Sequence, residues 1–374
     1  YLINIEFKGK TLNLRQLMKH FFLASLTWAA FGICAAAADK NATVDSEKEP
    51  KRTIRYPARP LWLGRGAADP GASRWMLRLD MQTFKKTQLG QFVLNEAKEF
   101  AAPIDAAANM LQFNPRKDLT AITAMGSVNQ EEDQERGVLL IHGKFKPAHL
   151  LKLAKANTKD LKEEKEDKYN ILSWKETDKE SGEERVQYGC IANEQLIIMG
   201  SGAELVKFAL KHYDVETPNE KAAKIANTVL TRGLKIEEKP YFLAGAVRIR
   251  ELKVPPEAKI LEKVTALGFT FAEEKGNLKG LIKLNAEDED SSIQIQQMIQ
   301  GLLALAQLSG IGDTDENSKH TASILKSIKI EREQRVVRLV MDTSMKTITA
   351  SLRHQLDKSK EEEKVNSKEE SKKK

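Results

Sequence analysis

The sequence predicts an α+β fold: two tandem similar units of mainly antiparallel sheet, with helices packed on one face and with disordered, charged ends. Two observations lead to this prediction. Apolar residues alternate with period 2 in some segments and recur at helical spacing in others. The strand-like segments also come in pairs joined by turns, which is typical of antiparallel sheets with helices on a face.

The N-terminal segment is predicted to be an export signal and not part of the fold. Residues 18–38 begin with Met18 and a short basic stretch, continue through an apolar run and end in four alanines. This order is typical of a cleavable secretory signal. Residues 1–17 are then interpreted as an upstream artefact. The alternative is that 18–38 is retained as an N-terminal anchor.

The mature chain is expected to start near Asp39 with a linker or extended arm over 39–72, where proline, glycine and charged residues are frequent. Lipidation at Cys34 is not favoured, because the bulky Ile33 precedes it. The tail 357–374 contains Lys, Glu and Ser with little apolar content, so it is predicted to be disordered.

The first unit is assigned to 73–235. Its predicted elements are a strand from Trp75, helices over 84–100 and 104–111, a hairpin 119–126/137–145, a helix from Pro147, strands near 169–174, 185–192 and 195–200, and a helix after Ser201. The stretch 159–168, in which positive and negative charges alternate, is interpreted as solvated surface. Proline favours the first position of a helix, so Pro147 marks a helix start.

The second unit is assigned to 236–356. Its predicted elements are strands near 241–249, 267–271, 278–284 and 337–341, a short helix 257–263, a long helix 295–306, a shorter helix ending with Ile324, Leu325 and Ile328, and a closing helix from Met345. The element order repeats that of the first unit, which suggests a duplication. If the units are copies, the helices after Ser201 and Ser344 should lie on the same sheet face. Opposite faces would refute the duplication.

Composition and charge narrow the classes of function. The chain has 60 Lys and Arg against 53 Asp and Glu, of which the first 38 residues hold four and one, so the rest carries a net charge of +4. These charges are interspersed, whereas nucleic-acid binders cluster them on one face. Nucleic acid is therefore not an expected partner, and no membrane span is expected in the mature chain. Cys190 is the only cysteine after the signal and is interpreted as a buried, inert thiol.

No motif in the sequence assigns a catalytic, cofactor or metal site. The histidines lack metal-site spacing and are interpreted as structural or exposed; they are His142, His149, His212, His320 and His354. Ser201 lies at a strand-to-helix turn, but its surroundings lack the G-x-S-x-G pattern, and helix capping explains it. Asp313, Asp315 and Asn317 start a calcium-like loop that lacks its glycine and its final glutamate. Asp80 and Asp118, which border predicted strands, are the acids to inspect first.

Several segments of the first unit resemble an uncharacterised group of secreted proteins from planctomycete-like bacteria. They are Trp75–Asp80, Thr87–Phe92, Phe113–Leu119, Leu139–Phe145 and Gln195–Gly202. The resemblance covers mainly 73–212 and more weakly 241–355. It implies a signal peptide and an α+β body, and it brings no activity, cofactor or catalytic residue.

The leading functional hypothesis is an exported, periplasmic or secreted, non-catalytic envelope protein that binds an unidentified protein or polymer as an interaction scaffold. One alternative is a hydrolase of unrecognised type, which would need His142 to meet a carboxylate and a serine in a cleft. The other is a self-assembling structural protein that uses the apolar helix 292–308 as its contact face. An exposed apolar stripe on that helix would favour self-assembly.

Overall fold

The computed structural model describes residues 4–7, 10–13, 75–96, 104–105, 108, 110–129, 134–158, 160–177, 184–212, 241–248, 262–309, 316–354 and 356. The predicted signal, the arm and the tail lie outside these residues. So do Asp313, Asp315 and most of the predicted helix 257–263. Within the first 17 residues, the strands β1 (Asn4–Phe7) and β2 (Lys10–Asn13) form a separate antiparallel hairpin.

The remaining strands form one antiparallel sheet of 12 strands. They are β3 (Trp75–Asp80), β4 (Ala121–Asn129), β5 (Gln134–His142), β6 (Lys162–Glu166), β7 (Tyr169–Thr177), β8 (Glu184–Ile191), β9 (Leu196–Gly200), β10 (Leu243–Val247), β11 (Val264–Glu274), β12 (Asn277–Ala286), β13 (Ile328–Glu333) and β14 (Val336–Ser344). The α+β class with mainly antiparallel sheet is thus confirmed.

The helices connect these strands. They are α1 (Met81–Phe84), α2 (Gln88–Gln91), which continues into a π-helical turn Phe92–Glu96, α3 (Pro115–Asp118), α4 (Pro147–Asn157), α5 (Ala203–His212), α6 (Glu289–Ser309), α7 (Glu316–Lys326) and α8 (345–354). The helix predicted to run from Phe84 is interrupted before Gln88. Thr87 caps α2 by accepting a hydrogen bond from the Gly90 amide, and a Cβ on Gly90 would lie 1.9 Å from the Phe84 carbonyl oxygen.

The two predicted units are the two wings of this single sheet, joined where β3 pairs with β10. Outward from that junction, the first wing runs β3-β4-β5-β9-β8-β7-β6 and the second wing runs β10-β11-β12-β14-β13. The order is therefore the same in both wings, except that the hairpin β6–β7 extends the first wing. Two strands were not predicted. The residues of β6 are mostly exposed, as expected of solvated surface, but they form a strand, and Ile328 begins β13 instead of ending a helix.

The register defines two faces of the sheet. Face A carries Leu77, Leu79, Ile141, Phe269 and Phe271, and face B carries the alternate residues Met76, Arg78, Thr123, Leu140 and Ile198. The helices α1, α4, α7 and α8, together with the π-helical turn, pack on face A, and α6 covers the outer part of the same face over Leu284 and Val337. Face A therefore holds most of the helical layer.

The helix α5 packs on face B, which contradicts the expected equivalence of α5 and α8. Val206 and Ala209 of α5 contact the cluster around Leu140 and Ile198 of face B, whereas Met345 of α8 belongs to the face A cluster. The buried phase of β9 is on face B, but the buried phase of β14, with Val337 and Leu339, is on face A. Each helix follows the buried phase of the strand before it. The predicted duplication is refuted by this criterion.

Candidate functional site

Within the described part of the chain, a group of buried polar side chains lies on face B, where β3, β4 and β5 meet. Arg78, Thr123 and His142 project from these strands and are almost completely buried, and Asp80 follows Arg78 on the same phase of β3. Asp80 and His142 both pair with Ala121, from opposite sides, so their backbones are about 10 Å apart at the usual strand spacing. The group contains Asp80, one of the two acids to inspect first, and His142, which the hydrolase alternative would require.

Arg78 is the charged centre of this site. Its Nη1 donates to Thr123 Oγ1 at 3.0 Å, and its Nη2 lies 3.8 Å from Asp80 Oδ2. Burial lowers the pKa of the guanidinium, and the Asp80 carboxylate opposes that effect. Burial also raises the pKa of Tyr241. Because a buried charge is costly unless it is paired, Asp80 and Thr123 act first as partners that keep Arg78 in the sheet.

His142 is buried as a neutral imidazole. Burial, and secondarily the charge of Arg78, lower its pKa to about 3. Neither Nδ1 nor Nε2 has a hydrogen-bond partner among the described residues. A general base needs a proton donor within hydrogen-bond reach and a pKa near the working pH. The described geometry supplies neither a serine nor a carboxylate at hydrogen-bond distance from His142, so the hydrolase alternative gains no support from it.

The two acids chosen for inspection both stabilise short helices. Asp80 caps α1, since its Oδ1 accepts a hydrogen bond from the Thr83 amide at 2.8 Å. Asp118 Oδ2 accepts from the Asn114 amide at 2.8 Å and so closes the turn around α3. These hydrogen bonds account for both carboxylates structurally.

Ser201 has a structural partner that differs from the predicted one. Its Oγ accepts a hydrogen bond from the Gly137 amide at 3.0 Å, and its own amide donates to the Gly137 carbonyl. Since α5 begins at Ala203, the serine fastens the turn before α5 to β5. This double contact explains the position of Ser201 without a nucleophilic role.

The other candidates are not brought together. Cys190 is buried on face B, and burial raises the pKa of its thiol to about 11, as expected for an inert cysteine. On α4, the Nε2 of His149 lies 3.1 Å from the carbonyl oxygen of Met110. His212 ends α5, while His320 and Asn317 belong to α7 and His354 to α8. Among the described residues, no group of three or more His, Cys, Asp or Glu side chains is arranged to hold a metal ion.

The sequence reading did not single out Arg78 as the centre of the site. The sequence holds one signal that could have identified it. Arg78 alternates with Leu77 and Leu79, so it points to the same face of β3 as the buried Met76. An arginine on the second phase of a strand is usually exposed, and only the covering of both faces makes it buried.

In contrast to this buried group, the C-terminal half of α6 offers an accessible surface. Leu305 and Leu308 are 61% and 64% exposed, and Gly301 and Ala304 on the same side are also exposed. The opposite side of α6, with Ile295 and Ile299, packs on face A. The helix predicted as a possible contact face is thus buried on one side and open on the other. No helix in the described part of the chain has the length and hydropathy that crossing a membrane requires.

No protein-family model matches this chain, and no curated protein matches its sequence. Among solved structures, crystal form III of TP0453, from Treponema, aligns with a TM-score of 0.38 at 10% identity and covers 76% of this chain and 95% of TP0453. Crystal forms I and IV of TP0453 align with TM-scores of 0.36, also at 10% identity; they cover 76% and 75% of this chain, and 94% and 93% of TP0453. At this level the likeness identifies neither a family nor a function.

Proposed function

We propose that this chain is an exported, non-catalytic protein of the cell envelope that acts as an interaction scaffold. The observation that carries the proposal is the exposed apolar side of α6, where Leu305 and Leu308 have no covering element in the described structure. Contiguous exposed apolar surface is a mark of interaction sites, whereas apolar residues exposed singly are not. Export follows from the signal-like order of residues 18–38.

The edge strands of the sheet are charged, which favours a helix surface over a sheet edge as the place of contact. The two edge strands are β6 and β13, with sequences KEEKE and IKIERE. Charged edge strands resist pairing with another chain. The glutamates of β6 are also engaged, since Glu164 and Glu166 lie 2.9 and 2.7 Å from Lys207 Nζ. A partner strand would have to displace these charges, whereas a partner that covers α6 displaces none.

The polar side chains on face B support the non-catalytic part of the proposal. Arg78, Asp80 and Thr123 are partners of one another or of a helix end, and His142 is buried with a depressed pKa. Each of these side chains stabilises the fold or is enclosed by it. None of the contacts described for them orients a nucleophile.

The proposal is tested by expressing the full chain in a bacterial host with a photo-crosslinking residue at Leu308. The matched control carries the same residue at Glu274, an exposed position at the turn between β11 and β12. We expect the mature protein outside the cytoplasm, beginning near Asp39, with crosslinked adducts from position 308 and not from 274. A protein that stays in the cytoplasm with 18–38 attached, or equal labelling at both positions, overturns the proposal. Hydrolytic turnover by pure protein that is lost in His142→Leu would overturn its non-catalytic part.

A further inference from the structure

The exposed side of α6 forms a narrow contact surface, which we call the α6 stripe: Gly301, Ala304, Leu305 and Leu308. These positions recur at intervals of three and four residues and so lie on one side of the helix. From Gly301 to Leu308 the stripe spans about 10 Å along the axis, at ~1.5 Å per residue. All four residues are exposed, although their neighbours Leu303 and Ala306 are buried.

The charge pattern of α6 bears on what covers the stripe. From Ser291 to Ser309 the helix contains no charged residue, although 30% of the chain is Asp, Glu, Lys or Arg. The exposed polar positions beside the stripe are glutamines, such as Gln297 and Gln300. A two-fold contact places identical surfaces against each other, so any net charge on them would repel itself. A neutral stripe meets its own copy without that cost.

The shape of the stripe is self-complementary. Gly301 is exposed, and outside its own stretch of helix no atom lies within 4 Å of the position that a Cβ would take, so the space above it is open. Leu308 projects from the same side two turns later and is 64% exposed. If two copies of α6 cross antiparallel about a two-fold axis between Ala304 and Leu305, each Leu308 lies opposite Gly301 of the other copy. When a large side chain of one helix packs against a small residue of the other, the two helices can approach closely.

We propose that the α6 stripe binds the α6 stripe of a second copy of this chain, so that the protein forms a two-fold dimer. The proposal deepens the scaffold function, on whose exposed surface it rests, by naming the partner at that surface. Dimerisation would give the scaffold two copies of every other binding surface and would raise its avidity for a repetitive envelope partner.

The small area of the stripe sets the expected strength. A stable dimer usually buries about 800 Å² on each partner, and a contact made by two turns of one helix supplies less. We therefore expect reversible association with a dissociation constant of about 1 µM to about 1 mM. Sedimentation velocity of the purified protein over that concentration range should show a monomer–dimer equilibrium.

The first test is the double variant Leu305→Glu/Leu308→Glu, for which we expect association at least about tenfold weaker, since like charges would meet across the axis. The matched control is Val186→Glu, the same kind of change at the other large apolar side chain that is well exposed among the described residues, on β8. We expect Val186→Glu to dimerise like the wild type. An equal loss in both variants would show a general effect of added charge and would overturn the proposal.

The second test separates dimerisation from folding. Gly301→Ala should raise the melting temperature of the monomer, because alanine favours a helix interior over glycine and nothing occupies the space around it. Gly301→Leu should occupy the space that the proposed contact gives to Leu308 of the other copy, and so weaken the dimer about tenfold while the monomer stays folded. A Gly301→Leu protein that dimerises as strongly as the wild type would contradict the proposed docking of Leu308.

The remaining outcomes distinguish this inference from the scaffold proposal. One outcome is that the wild type stays monomeric up to about 1 mM and that Leu308 crosslinks to a different envelope protein. This result would overturn the proposed dimer but would agree with the scaffold function. Binding of the monomer to phosphatidylcholine vesicles, lost in Leu305→Glu/Leu308→Glu, would assign the stripe to a lipid surface and also overturn it. A dimer that remains in the cytoplasm would instead refute export alone.

Discussion

The two wings of the sheet share a strand order but are covered in different ways. In each wing a three-strand meander is followed by a helical connection, after which the final strand returns beside the third: β9 beside β5, and β14 beside β12. Yet α5 crosses face B of the first wing and α8 crosses face A of the second. Much of the strand order comes from hairpins such as β4–β5 and β11–β12, whereas the placement of each helix depends on which side of the preceding strand is apolar.

The two wings also contact each other through side chains. Arg353 of α8, which follows the last strand of the second wing, pairs with Glu96 and lies 5.0 Å from the centroid of the Phe92 ring in the first wing. In the opposite sense, Glu273 of the second wing accepts a hydrogen bond from the Gln88 amide at 2.7 Å. Together with the β3–β10 pairing, these contacts predict that the two wings unfold together.

The largest expected effect comes from the side chains that fix α5 and α8. Met345→Ala should lower the free energy of unfolding by about 2–5 kcal/mol, because Met345 is fully buried in the face A cluster. Val206→Ala removes a smaller fully buried side chain on face B and should cost less. Urea unfolding followed by circular dichroism should show one transition that both changes shift. Two transitions, each moved by only one change, would make the wings separate domains.

The comparison also shows where sequence reasoning works. Strands with an apolar phase, such as β3 and β9, were predicted within a few residues, and so was the helix from Pro147. The strand β6 was missed because KEEKE has no apolar phase, and only pairing with β7 makes it a strand. The face chosen by α5 was missed because a local pattern shows that a phase is buried but not on which side of the common sheet it lies.

The candidate site was predicted even less completely. Asp80 was named only as an acid to inspect and His142 only as a requirement of the hydrolase alternative, and the burial of Arg78 beside them depends on β3 being a central strand. Neither the β3–β10 pairing nor the covering of both faces has a local signal in the sequence. The helix at 292–308 was predicted from its apolar residues at helical spacing, whereas its use as a contact face stays a prediction.

An intermediate effect is expected from His142, a side chain of the first wing. Its pKa of about 3 in the folded protein lies below the ordinary 6.5, so between these values the unfolded chain binds more protons. Stability should therefore fall as the pH falls through this window, by about 1.4 kcal/mol per pH unit at the steepest. His142→Leu should remove that part of the slope and, by deleting an unpartnered buried polar group, add about 1–3 kcal/mol near neutral pH.

The measurement for His142 is the urea midpoint of the wild type and His142→Leu at several values between pH 7 and pH 3. Cys190→Ala is a suitable control, because this change also alters a buried side chain on face B but its thiol does not titrate in that window. Parallel curves for the wild type and His142→Leu would show that the pKa of His142 is not lowered in the folded protein.

The smallest effects compare the two serines that precede α5 and α8 and look alike in the sequence. Ser201 accepts a hydrogen bond from the Gly137 amide at 3.0 Å in a partly buried turn, so Ser201→Ala should cost about 1–2 kcal/mol by leaving that amide without a partner. Ser344 accepts from the Lys346 amide at 3.3 Å on the surface, where water can replace it, so Ser344→Ala should cost only about 0.5 kcal/mol. Urea unfolding of both variants measures the difference, and Thr in place of either serine should restore part of the loss. If both variants lose the same free energy of unfolding, the two turns are equivalent. That result would favour a common origin of the two wings, which the opposite placement of α5 and α8 argues against.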